Sequence, residues 1–295
     1  MSRHRLTLVP LLAVLIAMFA LSGSATAGFA LGVTGSLTLD SDAGDWVGQG
    51  QSYSFATPEA GFATHSDGTT VQILVGFWNL KFAAPAGQQL LPGTYTGATR
   101  APFRNAGEPG LEVSSDTRGC NEVNGEFTVL DASYGPFGYL QSFHATFIQH
   151  CEGLQPALRG EIDVTSAVAP EPVTVRLTVD PAPLLVRGGG IEVHGTVSCN
   201  QTVPYFVPIL VTAAQTKKTT STGSNSTGVD WTCPTTPAPW SVTVYSDYKP
   251  NFSVGAVTLT ASTSVSDDYY SQYFDYNPFI NATASLTQTV KVKEG

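Results

Sequence analysis

Basic side chains are scarce in this chain. Its 295 residues include 14 Lys and Arg against 23 Asp and Glu, which gives a formal net charge of −9. An acidic chain repels phosphate backbones, so nucleic-acid binding is disfavoured. Charged residues of both signs make up only 13% of the chain, while Gly, Thr, Ser and Val are abundant. This composition is typical of an all-β, turn-rich protein, and the length suits two sandwiches of about 130 residues each.

Long apolar runs are missing after the N-terminus. The one such run, residues 6–21, follows Arg3 and Arg5 and precedes Ala25-Thr26-Ala27. This order is that of a secretory signal peptide, which we place at residues 1–27. The run is short for a membrane span, and a retained anchor helix is the alternative. We therefore expect a secreted, extracellular product with no membrane span in the mature chain.

Familiar catalytic motifs are also missing. The chain contains no Gly-x-Ser-x-Gly, no His-Glu-x-x-His and no phosphate-binding loop. We therefore assign no catalytic residue and predict that the protein is not an enzyme. Carboxylate pairs for glycoside hydrolysis are set by space rather than by sequence spacing. A secreted hydrolase, with Asp or Glu side chains converging in a cleft of the first half, thus stays as an alternative.

Cysteines are few but evenly placed. Cys120 and Cys151 lie in the first half, and Cys199 and Cys233 lie in the second. In an exported chain an even number of cysteines indicates disulfides rather than metal thiolates. We predict the pairs Cys120–Cys151 and Cys199–Cys233, one in each domain. The two prolines of residues 166–172 predict a linker there, between a sandwich at 28–165 and a second at 173–295.

Period-two apolar patterns predict the strands. The run 71–82 has its apolar residues first at odd and then at even positions, which predicts a β-bulge near Gly76 or Phe77. In the second half, Trp240, Val242 and Val244 share one face, and the strand spacing favours an immunoglobulin-like sandwich. The predicted strands are 31–39, 51–56, 71–82, 127–130, 139–149 and 158–164, then 173–179, 191–199, 207–213, 240–245, 255–262 and 285–292.

Three carboxylates stand close together near the start of the mature chain. Asp40, Asp42 and Asp45 alternate with Ser, Ala and Gly. Hard cations bind several such oxygens from a flexible loop, so a calcium site is one interpretation. The other is a solvated turn, in which Asp and Gly are common. No other cofactor is predicted.

The most distinctive segment is rich in aromatic residues. Asp267-Asp268-Tyr269-Tyr270-Ser271-Gln272-Tyr273-Phe274-Asp275-Tyr276 joins the last two predicted strands. Tyrosines among small polar residues give large, stiff contact areas of the kind that recognition loops use. This predicts a ligand-binding loop; alternatively, the aromatic side chains pack on the sheet or on the first domain. The predicted ligand-binding residues are Tyr269, Tyr270, Tyr273, Phe274 and Tyr276.

Several short segments resemble known secreted modules. The first half carries Gly44-Asp45-Trp46-Val47-Gly48-Gln49-Gly50-Gln51, Trp78-Asn79-Leu80-Lys81-Phe82, Arg118-Gly119-Cys120-Asn121 and Gln149-His150-Cys151-Glu152-Gly153, and it resembles an uncharacterised β-sandwich module of secreted bacterial proteins. The second half, with Gly195-Thr196-Val197-Ser198-Cys199, Trp240-Ser241-Val242-Thr243-Val244 and Phe252-Ser253-Val254-Gly255-Ala256, is similar to a bacterial immunoglobulin-like domain. The resemblance implies a bacterial origin and a β-architecture, and no functional residues.

These observations together predict a secreted, non-catalytic binding or adhesion protein. It would recognise a glycan, a cell-surface polymer or a protein through the tyrosine-rich segment. The alternative is a structural spacer or envelope component without a ligand, in which those tyrosines would be buried. We expect a monomer.

Overall fold

The computed structural model of the chain describes residues 30–229, 232–274 and 279–295. The predicted signal peptide lies outside these residues. Within them the regular secondary structure is almost entirely β, arranged as two sandwich-like sheets, and the predicted all-β class is confirmed. No helix in the described ranges is long and apolar enough to cross a membrane.

The strands account for most of both halves. The first half forms β1 (Ala30–Ser41), β2 (Ser52–Ala56), β3 (Phe62–Ser66), β4 (Thr70–Val75), β5 (Trp78–Ala83), β6 (Gly93–Arg100), β7 (Gly110–Ser115), β8 (Val123–Tyr134), β9 (Leu140–Cys151) and β10 (Ala157–Thr165). The second half forms β11 (Val175–Leu177), β12 (Leu184–Val186), β13 (Gly190–Cys199), β14 (Val207–Thr216), β15 (Thr220–Val229), β16 (Ala238–Val244), β17 (Gly255–Ser266), α1 (Asp268–Tyr273) and β18 (Asn281–Glu294).

The first sheet folds into two layers that share their edges. β1 pairs with both β3 and β10, and β6 pairs with both β7 and β8. One layer, called here the β3–β7 layer, contains β3, β4, β5 and β7; the other, the β8–β10 layer, contains β2, β1, β10, β9 and β8. Aromatic rings join the two layers in the core, since Phe82 packs 5.4 Å from Phe127 and 5.2 Å from Phe143 between ring centres.

The predicted β-bulge near Gly76 or Phe77 is wrong. Residues 70–83 form two antiparallel strands, β4 and β5, joined by a two-residue turn in which Val75 pairs with Trp78. Gly76 has φ +55°, the backbone conformation that the first position of a type II′ turn requires. Directly paired residues of a hairpin lie on the same face, so the apolar positions change from odd to even because the chain reverses.

The second sheet also forms two layers. β13 pairs with β11, β12 and β16, while β15, β14, β17 and β18 pair in that order. β12 also pairs in parallel with β18, at Leu184 and Lys293, which joins the layers at one edge. Trp240, Val242 and Val244 are buried between the layers, as the alternation predicted. The layering is that of a β-sandwich, and the immunoglobulin-like assignment stays a prediction.

Both predicted disulfides are present. Cys120 pairs with Cys151, and Cys199 pairs with Cys233, with Cα atoms 5.1 and 5.8 Å apart. Each bridge lies within one half, beside that half's buried apolar cluster. Two disulfides in a β-sandwich protein are compatible with an extracellular location.

Candidate functional site

Residues Asp268–Tyr273 of the tyrosine-rich segment form the short helix α1, which follows β17. Asp267 precedes the helix, and its carboxylate accepts a hydrogen bond from the backbone N–H of Tyr270 at 3.4 Å. This is the bond by which an N-cap residue satisfies a free donor of the first helical turn. The other oxygen of Asp267 accepts from the N–H of Val173 at 2.8 Å, so the helix start is tied to the segment that joins the two halves.

The aromatic side chains of α1 face the first domain. The Tyr273 ring stacks on His65 with 5.1 Å between ring centres, and Phe274 meets the same His65 edge-on at 5.8 Å. Tyr139 lies 4.9 Å from Tyr273. We call this set, with Tyr269, Tyr270 and Phe137, the interdomain aromatic cluster. Tyr270, Tyr273 and Phe274 of the second half belong to the buried apolar cluster of the first.

Two hydroxyl groups anchor the linker within the same cluster. Tyr270 donates to the carbonyl oxygen of Pro170 at 2.7 Å, and Tyr139 donates to that of Ala167 at 3.0 Å. Burial, with the nearby Asp267 charge adding to it, raises the pKa of Tyr270 to about 12. Burial also raises the pKa of Tyr139 and of Tyr273. All three phenols therefore remain protonated at physiological pH, and those of Tyr270 and Tyr139 act as donors.

The location of these rings corrects the predicted ligand loop. Tyr270, Tyr273 and Phe274 are 0%, 3% and 9% exposed, because they pack against the first domain rather than pointing into solvent. Tyr269 is 42% exposed at the margin of the cluster. Tyr276 lies outside the described residues. The packed arrangement, the alternative that the sequence left open, is thus the one that the structure has for these three side chains.

The three predicted calcium ligands have separate protein partners. Asp40 accepts a hydrogen bond from the Ser52 hydroxyl at 2.9 Å, and Asp42 pairs with Arg159 at 2.8 Å. Hydrogen bonds from Arg159 and from the Ala157 backbone lower the pKa of Asp42. Asp45 is buried and accepts from the Ser41 hydroxyl and from the Gly48 N–H, which holds the turn together. Among the described residues no group of three metal-ligating side chains comes together, and calcium binding stays a prediction.

A groove of about 630 Å³ lies on the β8–β10 layer. Side chains alternate along each strand, so those beside the buried Leu39, Phe127 and Phe147 point to the outer face. Strand pairing aligns these outer side chains in two rows that cross β1, β10, β9 and β8. Each row is about 14 Å long, because neighbouring strands lie ~4.8 Å apart. The first row is Asp40, Arg159, Ile148 and Glu126, and the second is Thr38, Glu161, Thr146 and Thr128.

The polar groups of this groove are fixed by neighbours at its margins. Arg159 is oriented by Asp42, and Glu161 is 2.7 Å from the imidazole of His144. Thr128 exchanges a hydrogen bond with Thr94 on β6 at 3.1 Å. The groove therefore presents carboxylates, a guanidinium group and hydroxyls around the apolar side chain of Ile148, all carried by paired strands rather than by loops.

The loop between β1 and β2 borders one end of the groove, since Asp40 and Ser52 flank it. The Asp45 hydrogen bonds stabilise this loop, and Arg118 donates to the carbonyl oxygen of Val47 at 2.8 Å. Trp46, in the same loop, is 57% exposed. An exposed aromatic ring on a braced loop is a ready stacking surface.

Of the groove residues, only Asp40 is also a site residue predicted from the sequence, where it is a calcium ligand. The alternation along 158–164 and 139–149 does place Arg159, Glu161, Thr146 and Ile148 on outer faces. The sequence pattern does not show that β1 pairs with β10 and β9 with β8, because the register between distant strands cannot be read from either strand alone.

Neither the comparison with protein-family models nor that with curated proteins finds a match to this chain.

Proposed function

We propose that the protein is a secreted, non-catalytic binding protein whose first domain holds a hydroxyl-rich polymer, a glycan or cell-surface polymer, in the groove of the β8–β10 layer. The groove has a volume of about 630 Å³. The two rows of polar side chains along it are the main support for this proposal. Secretion follows from the predicted signal peptide and is compatible with both disulfides.

The groove chemistry suits sugar hydroxyls. Each hydroxyl both donates and accepts, and the groove offers carboxylate acceptors at Asp40, Glu126 and Glu161 and a guanidinium donor at Arg159. Hydrogen bonds to charged groups are stronger than those between neutral groups. Trp46, at the loop beside the groove, supplies an exposed ring face on which a sugar could stack. With three carboxylates against one guanidinium group, the groove favours a neutral polymer over an acidic one.

The second domain then acts as a spacer of fixed orientation. The interdomain aromatic cluster and the Tyr270 hydrogen bond to Pro170 hold it against the first domain. The burial of Tyr270 and Tyr273 is in keeping with a structural-spacer role, which we assign to the second half alone.

A glycan-array screen of residues 28–295, with and without calcium, tests the proposal. We expect binding to neutral polysaccharides, weakened about tenfold by Glu161→Gln, because a hydrogen bond to a charged acceptor is worth ~1.5–3 kcal/mol. Glu192→Gln is the matched control. Glu192 also lies beside a histidine, His194, at 3.7 Å, but it is in the second domain.

Equal binding by both variants and the unchanged protein would refute the groove as the site. A loss in Glu192→Gln as large as that in Glu161→Gln would do the same. Binding that requires calcium would instead support the Asp40, Asp42 and Asp45 prediction.

A second candidate function is glycoside hydrolysis, favoured by one observation. Asp40, Glu126 and Glu161 line the same groove, and hydrolysis of glycosides uses two such carboxylates. Incubation of the bound polysaccharide with the protein, followed by measurement of new reducing ends, separates the two functions. Release of reducing ends that Glu126→Gln or Glu161→Gln abolishes would replace the binding proposal with this one.

A further inference from the structure

A second pocket lies on the opposite face of the first domain. It has a volume of about 300 Å³ and is lined by residues of β3, β4 and β5 and by the turn after β6. Lys81, Gln72 and His65 are neighbours across these strands, because Lys81 pairs with Gln72 and Gln72 pairs with His65. Arg104 and Pro102 form the wall on the other side.

Two cations line this pocket in a chain that is otherwise acidic. Lys81 and Arg104 are two of only 14 Lys and Arg, against 23 Asp and Glu. Neither forms an ion pair within the part of the chain that the structure describes. Glu112, which pairs with Lys81 across β5 and β7, instead contacts Arg100 at 3.1 Å. Among the described residues, the ammonium and guanidinium groups thus have no carboxylate at ion-pair distance.

The guanidinium group of Arg104 is held in place by the backbone. It donates to the carbonyl oxygen of Ala101 at 2.8 Å and to that of Ala84 at 3.3 Å. A side chain already fixed by such bonds loses little conformational entropy when it binds a ligand. Thr70 and Gln72 of the lining carry a hydroxyl and an amide group that can donate hydrogen bonds to an oxygen anion. One amide N–H of Gln72 already donates to Asn79, and the second is left for a ligand.

The one carboxylate in the lining is turned to its own loop. Oxygen Oδ1 of Asp67 accepts three hydrogen bonds, from the Thr69 N–H and hydroxyl and from the Thr70 N–H, at 2.8 to 2.9 Å. Burial alone would raise the pKa of Asp67, but these bonds lower it, so the residue stays ionised. Lys81 and Arg104 together carry two positive charges against the one negative charge of Asp67. Carboxylates farther away than about 10 Å repel a bound anion only weakly, because salt at 0.1 M screens charges over that distance.

We infer that this pocket binds an oxygen anion, a carboxylate or sulfate group borne on a polysaccharide, with Lys81 and Arg104 as the charged donors. The preference of the pocket for an anion is independent of the proposed function. The assignment of that anion to a glycan rests on the proposed function. The pocket and the groove lie on opposite layers, so the two sites would contact different parts of a polymer or different polymers.

Isothermal titration of residues 28–295 with three probes tests this inference: an oligoglucuronate, a neutral glucose oligomer of equal length, and inorganic sulfate. We expect the oligoglucuronate to bind, and to bind more weakly as salt rises. Lys81→Met should weaken this binding about tenfold or more, whereas Lys81→Arg should retain it. Lys291→Met, which removes the same charge from an exposed position on β18, should have no effect.

Several results would overturn the inference. Oligoglucuronate affinity unchanged within twofold by Lys81→Met is one, and equal losses in Lys81→Met and Lys291→Met is another. Absence of binding by both the oligoglucuronate and sulfate is a third. Binding of free sulfate as tightly as the oligoglucuronate would assign the pocket to a small anion and reject the glycan. Glu161→Gln separates the two proposals, since it should weaken only the neutral oligomer.

Discussion

Single side chains in the interdomain cluster combine apolar packing with a specific polar contact. Tyr270 is fully buried, and its hydroxyl donates a hydrogen bond to the carbonyl oxygen of Pro170 in the linker. Asp267, 2% exposed, serves both the helix start and the Val173 N–H. Buried polar groups that find partners in this way specify one arrangement of the chain, because any other arrangement would leave them unpaired.

Alkaline pH should weaken the interdomain contact. The pKa of Tyr270 in the folded protein, about 12, is above the ordinary value of 10.0, so folding favours its protonated form. The stability that this group contributes is fully present below about pH 10 and is lost as pH rises towards 12. Tyrosinate absorbance and protease sensitivity, measured from pH 8 to 12, check this. In Tyr270→Phe this part of the pH dependence should disappear; an identical profile would contradict the assignment.

At the level of elements, the connection between β17 and β18 joins the two domains. A plain hairpin would need only a tight turn there, but the chain inserts α1 and places its rings against His65, Phe137 and Tyr139. The helix has six residues, too few to be stable alone, so its stability depends on this packing. The same contact explains why a segment with the composition of a recognition loop is not a free loop.

Tyr273→Ala should loosen the two domains. The substitution removes a buried ring that stacks on His65, and we expect a loss of about 3 kcal/mol in the free energy of unfolding. Limited proteolysis should then cut residues 166–172 faster than in the unchanged protein. Tyr269→Ala is the control, because that ring is 42% exposed. Equal cleavage rates for both variants would show that Tyr273 does not hold the domains together.

On the scale of the whole molecule, each domain has its own buried cluster and its own covalent link. The Cys120–Cys151 bridge lies beside one cluster and the Cys199–Cys233 bridge beside the other. The aromatic cluster adds Tyr270, Tyr273 and Phe274 of the second half to the buried cluster of the first. The groove is lined by first-domain residues alone, so we expect it to survive changes within the second domain.

Removal of one disulfide should therefore act mainly on its own domain. A bridge that closes a loop of this size contributes about 3–4 kcal/mol in the chain-entropy model. The double variant Cys199→Ser and Cys233→Ser should lower the urea midpoint reported by Trp240, which is buried in the second domain. Neutral-glycan binding by the first domain should persist at low urea. Loss of that binding in the folded variant would argue against independent domains.

Much of this architecture was readable from local pattern. Alternation located most of the second domain's strands, and the cysteine positions identified both bridges. The β-bulge predicted near Gly76 or Phe77 was wrong because a bulge and a two-residue turn both move the apolar residues from odd to even positions. Only the pairing of Val75 with Trp78 separates them.

Strand periodicity and disulfide pairing depend on short stretches of residues, so the amino-acid order alone was enough to predict them. The groove and the cationic pocket depend on which distant strands lie side by side, as β1 does with β10 and β5 with β4. The burial of Tyr270 and Tyr273 depends on how one domain docks on the other. These are long-range contacts, chosen by the packing of the whole chain, and no local pattern in the tyrosine segment distinguishes a ring that meets a ligand from one that meets the neighbouring domain.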